Sequence, residues 1–284
     1  MLSRTSRILT TLLVMALCLS VLALGASAAG GPTKSDAGSG ARLPQYAAAA
    51  PRAPLASFSE GFEDITLLPG MGWASQNNSN PLGLTGWFQG NDGVFPAQAG
   101  STTSYLGANF NNTSGVGTIS NWEITPAVTL SAGDTVSFWT QTAPGSIWPD
   151  RLELRMSLNG ASTNVGTSET SVGDFTTVLA EVNPNLVVGG YPEVWTQYVV
   201  TLTSAQVPTP TLGRFAFRYF VTNGGPSGDN SDYIGIDTFD YTAATPTAVT
   251  LSTLDAQANS ALLPLAALAL LVAGAALVLR RRIA

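Results

Sequence analysis

Two stretches of this chain alternate polar and apolar residues, and that pattern limits the fold more than any other feature. Arg151-Leu152-Glu153-Leu154-Arg155-Met156-Ser157-Leu158 alternates without a break, and Arg214-Phe215-Ala216-Phe217-Arg218-Tyr219-Phe220-Val221 sets Phe215, Phe217, Tyr219 and Val221 on one side. Side chains along a strand point to opposite faces in turn, so a period of two predicts strands with one face on a core. Further strands are expected over 58–63, 119–130, 135–142, 175–182, 195–202 and 233–241. Pro69-Gly70, Asn91-Asp92-Gly93, Ala132-Gly133-Asp134 and Asn223-Gly224-Gly225-Pro226 supply turn chemistry between them. No segment away from the termini sustains a helical period. Many short strands joined by Gly-rich turns predict an all-β domain, a jelly-roll β-sandwich.

The two ends read differently. Arg4 and Arg7 precede an almost wholly apolar run, 8–24, and Gly25-Ala26-Ser27-Ala28 places small residues where a signal peptidase cuts, so residues 1–28 are expected to be an export signal helix. Cys18 lies mid-run behind Leu17 rather than a small residue, which argues against a lipoprotein signal. Residues 261–279 carry no charge, and Arg280-Arg281-Arg282 follows. At about 1.5 Å per residue this run reaches roughly 28 Å, the thickness of a bilayer's hydrocarbon layer. A C-terminal transmembrane helix (261–284 with its basic tail) is expected, the arginines cytoplasmic and the bulk of the chain outside the cell. Residues 29–57 and 243–260 are rich in small residues without apolar period and read as flexible linkers. Between them, residues 58–242 form one domain long enough for a single core.

Composition removes whole classes of chemistry. The chain has no histidine and its single cysteine is Cys18. Ser-His-Asp and Cys-His catalysis, haem ligation and the usual zinc sites are therefore excluded from the exported part. Residues 58–242 hold 16 Asp and Glu against four arginines, a net charge of −12. Such a surface disfavours nucleic acid and anionic headgroups and suits divalent cations.

Four stretches in order carry a resemblance. They are Ser59-Glu60-Gly61-Phe62-Glu63 with Leu68-Pro69-Gly70-Met71-Gly72-Trp73; Ile119-Ser120-Asn121-Trp122-Glu123-Ile124-Thr125-Pro126; Gly133-Asp134-Thr135-Val136-Ser137-Phe138; and Asp232-Tyr233-Ile234-Gly235-Ile236-Asp237-Thr238-Phe239. This order resembles the choice-of-anchor J domains of bacterial surface proteins and, more distantly, cleaved-adhesin and MAM-like jelly rolls. The resemblance implies a structural Ca²⁺ between the first and last strands, with Glu63 (Glu60 nearby) and Asp237 (Asp232 nearby) as ligands. Ca²⁺ takes six to eight hard oxygens, which carboxylates and loop carbonyls can provide. Ala74-Ser75-Gln76-Asn77-Asn78 stands where cleaved-adhesin relatives often carry an Asp-rich run, and the tail shows no LPxTG signature.

Aromatic platforms bind sugars. Trp148, in the turn-like Pro144-Gly145-Ser146-Ile147-Trp148-Pro149-Asp150, is the candidate ligand-binding residue, whereas Trp73, Trp122 and Trp139 are expected in the core. No pair of carboxylates is marked out as acid and base, and Gly224-Gly225-Pro226-Ser227-Gly228-Asp229-Asn230 lacks the Lys of a phosphate loop. The sequence thus points to non-catalytic surface display, with adhesion or recognition of a glycan or surface protein. A glycosidase-like hydrolase and a purely structural envelope component are the alternatives.

Overall fold

The computed structural model describes residues 33–35, 45–47 and 56–245. The expected signal (1–28) and membrane span (261–284) lie outside the described residues, and among those residues no helix is long and apolar enough to cross a membrane.

Thirteen strands make two antiparallel sheets packed face to face. They are β1 Phe58–Glu60, β2 Ala74–Asn77, β3 Asn80–Leu82, β4 Phe88–Gln89, β5 Leu106–Asn109, β6 Thr113–Ile124, β7 Val128–Leu130, β8 Thr135–Thr142, β9 Leu152–Ser157, β10 Thr177–Val182, β11 Thr196–Thr201, β12 Thr211–Gly224 and β13 Tyr233–Thr242. One sheet runs β11-β8-β13-β5-β4, with β1 also on β13; the other runs β10-β9-β12-β6-β2, with β3 on β6 and β7 on β12. Every expected strand is present, and Thr125-Pro126-Ala127 divides the expected 119–130 strand into β6 and β7. Proline cannot donate to a sheet ladder, which accounts for the break.

The core follows from the alternation. Leu152, Leu154 and Met156 of β9 and Phe215, Phe217, Tyr219 and Val221 of β12 face Val136 and Phe138 of β8 and Ile234, Ile236, Phe239 and Tyr241 of β13. Trp73 closes one end, with ring centroids 5.6 Å from Phe62 and 5.8 Å from Phe239.

The opposite face of β9 and β12 departs from expectation. Alternation predicts a solvated polar face, yet Glu153 and Arg218 are as buried as the core. Residues 159–175 fold over this face, placing Val165 and Phe175 against Trp122, Ile124 and Ala216. Glu153 Oε1 meets Arg151 at 2.6 Å, and Oε2 meets Arg155 at 2.5 Å and Arg218 at 3.4 Å. The Arg218 guanidinium lies 3.7 Å from the Phe220 ring centroid and 4.9 Å from that of Trp122, and donates to the Glu169 carbonyl. Burial pushes its pKa down to about 10, with Glu153 opposing. All four arginines of residues 58–242 therefore belong to β9, β12 and their margins.

Parts of the expected linker are docked. Tyr46 bridges Ser75 and covers the free edge of β2, its carbonyl accepting the Ser75 N–H at 3.1 Å. A covered edge is protected against pairing with another chain.

Candidate functional site

The acidic residues proposed as metal ligands separate into two places. β1 pairs antiparallel with β13, Glu60 opposite Phe239, so the first and last strands of the domain are neighbours. A bulge between Asp237 and Asp240 turns Thr238 to φ +47°, and Phe62, two residues past β1, takes φ +55°. Left-handed backbone is unfavourable for a β-branched or bulky residue and recurs at ligand clamps. Asp237 is fully buried; its Oδ2 accepts the Gln98 and Ala99 N–H groups at 2.8 and 3.1 Å, and its Oδ1 the Thr238 N–H at 2.6 Å. Glu60 Oε1 accepts the Phe62 N–H at 2.8 Å, while Glu63 Oε1 turns back over Gly61 and toward Gly100. Burial raises the pKa of Glu60, with the Glu63 charge adding to it, and burial likewise raises that of Asp237.

Asp237 and Glu63 thus both approach the 98–100 loop, Glu60 stands opposite the core residue Phe239, and the arginines lie on the other sheet. Among the described residues, no three acidic, His or Cys side chains stand close enough to hold a metal by themselves. The donors suit Ca²⁺ in kind, since all are hard oxygens, but main-chain carbonyls would have to complete the shell. Asp232 does not join this group. It immediately precedes β13, five residues and about 17 Å along the chain from Asp237.

Asp232 belongs instead to a second place, which also contains Trp148. The turn from β12 to β13 directs the carbonyls of Gly225, Gly228 and Asn230 at the Lys34 ammonium, at 2.6, 2.9 and 2.8 Å. That ammonium lies 5.6 Å from the ring centroids of Phe110 and Trp148. Asp232 accepts the Ser35 N–H, and its own N–H donates to Asp150 at 2.8 Å. Asp150 is buried and also accepts the hydroxyls of Tyr219 and Thr142; burial lifts its pKa to about 6, those hydrogen bonds opposing.

A third place lies on the outer face of the first sheet. Antiparallel partners share a face, so Trp139 of β8 stands with Gln197 of β11 and Asp237 of β13, opposite to Val136 and Phe138. The expectation of a core Trp139 is corrected: it lies on the outer face and is partly exposed, whereas Trp73 and Trp122 are fully buried. Gln141 follows on the same face. Beside them Phe95, Tyr105, Tyr233 and Trp195 pack over Gly235, where a Cβ would come within 2.8 Å of Phe95 and Trp195. Trp195 Nε1 donates to the Pro96 carbonyl at 2.9 Å, holding the 96–100 loop beside Trp139.

No family model matches the chain, and no curated protein does. Solved structures do. The chain is similar to the K1 cleaved adhesin domain of Lys-gingipain from Porphyromonas gingivalis, at 22% identity over 66% of this chain and 99% of that one, with a TM-score of 0.43. The K2 domain of the same protein gives 22% identity, the same coverage and a TM-score of 0.45. The CBM22-1 xylan-binding domain of Paenibacillus barcinonensis Xyn10C gives 14% over 69% of this chain and 100% of that one, with a TM-score of 0.35. The resemblance to choice-of-anchor J domains rests on the four sequence stretches alone.

Two residues of these places escaped the sequence reading. Trp139 was marked by its own alternation, Val136 and Phe138 inside and Trp139 outside, which aromatic bulk overrode. Lys34 is the chain's single lysine, set in a stretch read as linker.

Proposed function

We propose that the domain is a non-catalytic recognition module displayed outside the cell, and that it binds a glycan on the outer face of the first sheet, at Trp139. The observation that carries this is Trp139 itself, partly exposed on a sheet and in register between Gln197 and Asp237. A sugar ring has apolar C–H faces and a rim of hydroxyls. An indole face takes the former, and the exposed amide of Gln197 offers a donor and an acceptor for the latter. The buried carboxylates are otherwise engaged. Asp150 holds three hydrogen bonds, Glu153 three arginines and Glu123 the Tyr46 hydroxyl.

Calcium belongs to the same reading as a fastening. Glu60, Glu63 and Asp237, with carbonyls of the 98–100 loop, would hold it between the first and last strands, and an ion bound only by the folded state stabilises that state. The apolar run at 261–279 would tether the module to the membrane. The test is a glycan array probed with the wild-type protein and with Trp139→Ala. Signals on a defined set of glycans that vanish in the variant support the reading; an array empty for both, or signals indifferent to Trp139, overturn it.

A further inference from the structure

We infer that the turn between β12 and β13 is a receptor for a lysine side chain presented on an extended peptide, and that Lys34 of this chain is its resident occupant. The carbonyls of Gly225, Gly228 and Asn230 converge on one point, and an ammonium at that point donates to all three. A lysine ammonium has three donors and no acceptor, so the match is complete. The planar fork of arginine does not reach three carbonyls set around one point. Phe110 and Trp148 offer ring faces to the charge, a favourable arrangement for a desolvated cation. The residue after the lysine is read as well, because the Ser35 N–H donates to Asp232.

The cage is built without help from its occupant. The Gly225 N–H donates to Ser231 Oγ, the Gly228 N–H to the Gly225 carbonyl, and the Ser227 N–H to the Gly115 carbonyl. The Asn230 N–H donates to the Asn223 carbonyl, and the Ser231 N–H to the Pro149 carbonyl. The three carbonyl dipoles are therefore held together by the fold itself. Preorganisation of this kind lowers the entropic cost of binding, and it leaves a negative hole wherever the lysine is withdrawn. Segment 33–35 fills that hole in cis, and a lysine-bearing peptide would fill it in trans.

The experiment uses the full chain, wild type and Lys34→Met, and the capped peptide Gly-Pro-Thr-Lys-Ser-Asp, with a second peptide in which the lysine is Nε-acetylated. Tryptophan fluorescence reports occupancy beside Trp148. The expected result is saturable binding of the free-lysine peptide to Lys34→Met, at least tenfold weaker binding to the wild type, and none of the acetylated peptide. No binding by a variant whose circular dichroism matches the wild type would overturn the inference, as would equal binding of both peptides. Saturation of the variant's cage by calcium or potassium in place of the peptide would overturn it too, by making the place a metal site. A second measurement needs no variant. Lys34 should react with an acetylating reagent at least tenfold more slowly in the folded protein than in urea, and equal rates would refute the cage.

Discussion

Glu123 is fully buried on the inner face of β6, across from Ser75 and Phe217. Its Oε1 accepts the Tyr46 hydroxyl at 2.6 Å, and its Oε2 has no hydrogen-bond partner. Burial raises its pKa from 4.5 to about 8, the hydrogen bonds from Tyr46 and Ser75 opposing. Below pH 4.5 the carboxyl is protonated in the folded and unfolded chains alike and stability is indifferent to it. Between 4.5 and about 8 the unfolded chain has released the proton and the folded chain keeps it, so rising pH favours unfolding by about 1.4 kcal/mol per unit. Above about 8 both forms are ionised and the loss levels off, at about 5 kcal/mol. Glu123→Gln removes this titration while keeping the shape and an acceptor for Tyr46. Urea unfolding of variant and wild type at pH 5 and pH 8.5 gives the quantity sought. Any fixed cost of the amide cancels between the two pH values. The stability difference should move in favour of Glu123→Gln by about 4 kcal/mol from pH 5 to pH 8.5. A difference that stays constant over that range would refute a buried, protonated Glu123.

Other substitutions test other parts of the fold. Glu153→Ala leaves Arg218 buried without its counter-charge and should cost about 3–5 kcal/mol, lowering Tm by about 10 °C in thermal unfolding; a loss below about 1 kcal/mol would contradict the network. Gly235→Ala drives a methyl into Phe95 and Trp195 and should destabilise by about 1–3 kcal/mol with loosening of the 96–100 loop, read by hydrogen exchange. Calcium added to chelator-treated protein should raise Tm, and Glu63→Gln combined with Asp237→Asn should abolish the rise; no shift in the wild type would remove the ion from the account.

The sequence and the structure agree best where alternation is strict. β8, β9, β12 and β13 carry large apolar residues at every second position on one face, and hydrophobic periodicity reports burial directly. It fails over β2 to β5. There the inner side is polar, with Asn77 Nδ2 donating to the Thr85 and Asn112 carbonyls, Asn112 Nδ2 to Thr85 Oγ1, and Asn121 Nδ2 to Asn112 Oδ1. Asparagine and threonine buried through mutual hydrogen bonds look like loop residues to any hydropathy pattern. The same blindness hid the second buried face of β9, because Glu153 and Arg155 read as solvated until 159–175 folds across them. The pairing of the first strand with the last was legible, since Glu60 and Asp237 belong to stretches expected as strands at the two ends of one domain. The distance of Asp232 from them was not, because strand geometry separates residues that sequence places five apart. The neighbour of Trp148 was not legible either: its ring faces a lysine that lies 114 residues before it in the chain.

The most direct test of recognition at the outer sheet face is isothermal titration of the best glycan from the array into the wild type and Trp139→Ala, both checked for the same melting temperature. The account predicts an association constant at least tenfold lower in the variant, a loss of about 1.4 kcal/mol or more. Equal affinity in two equally stable proteins would contradict it and move the binding surface away from Trp139.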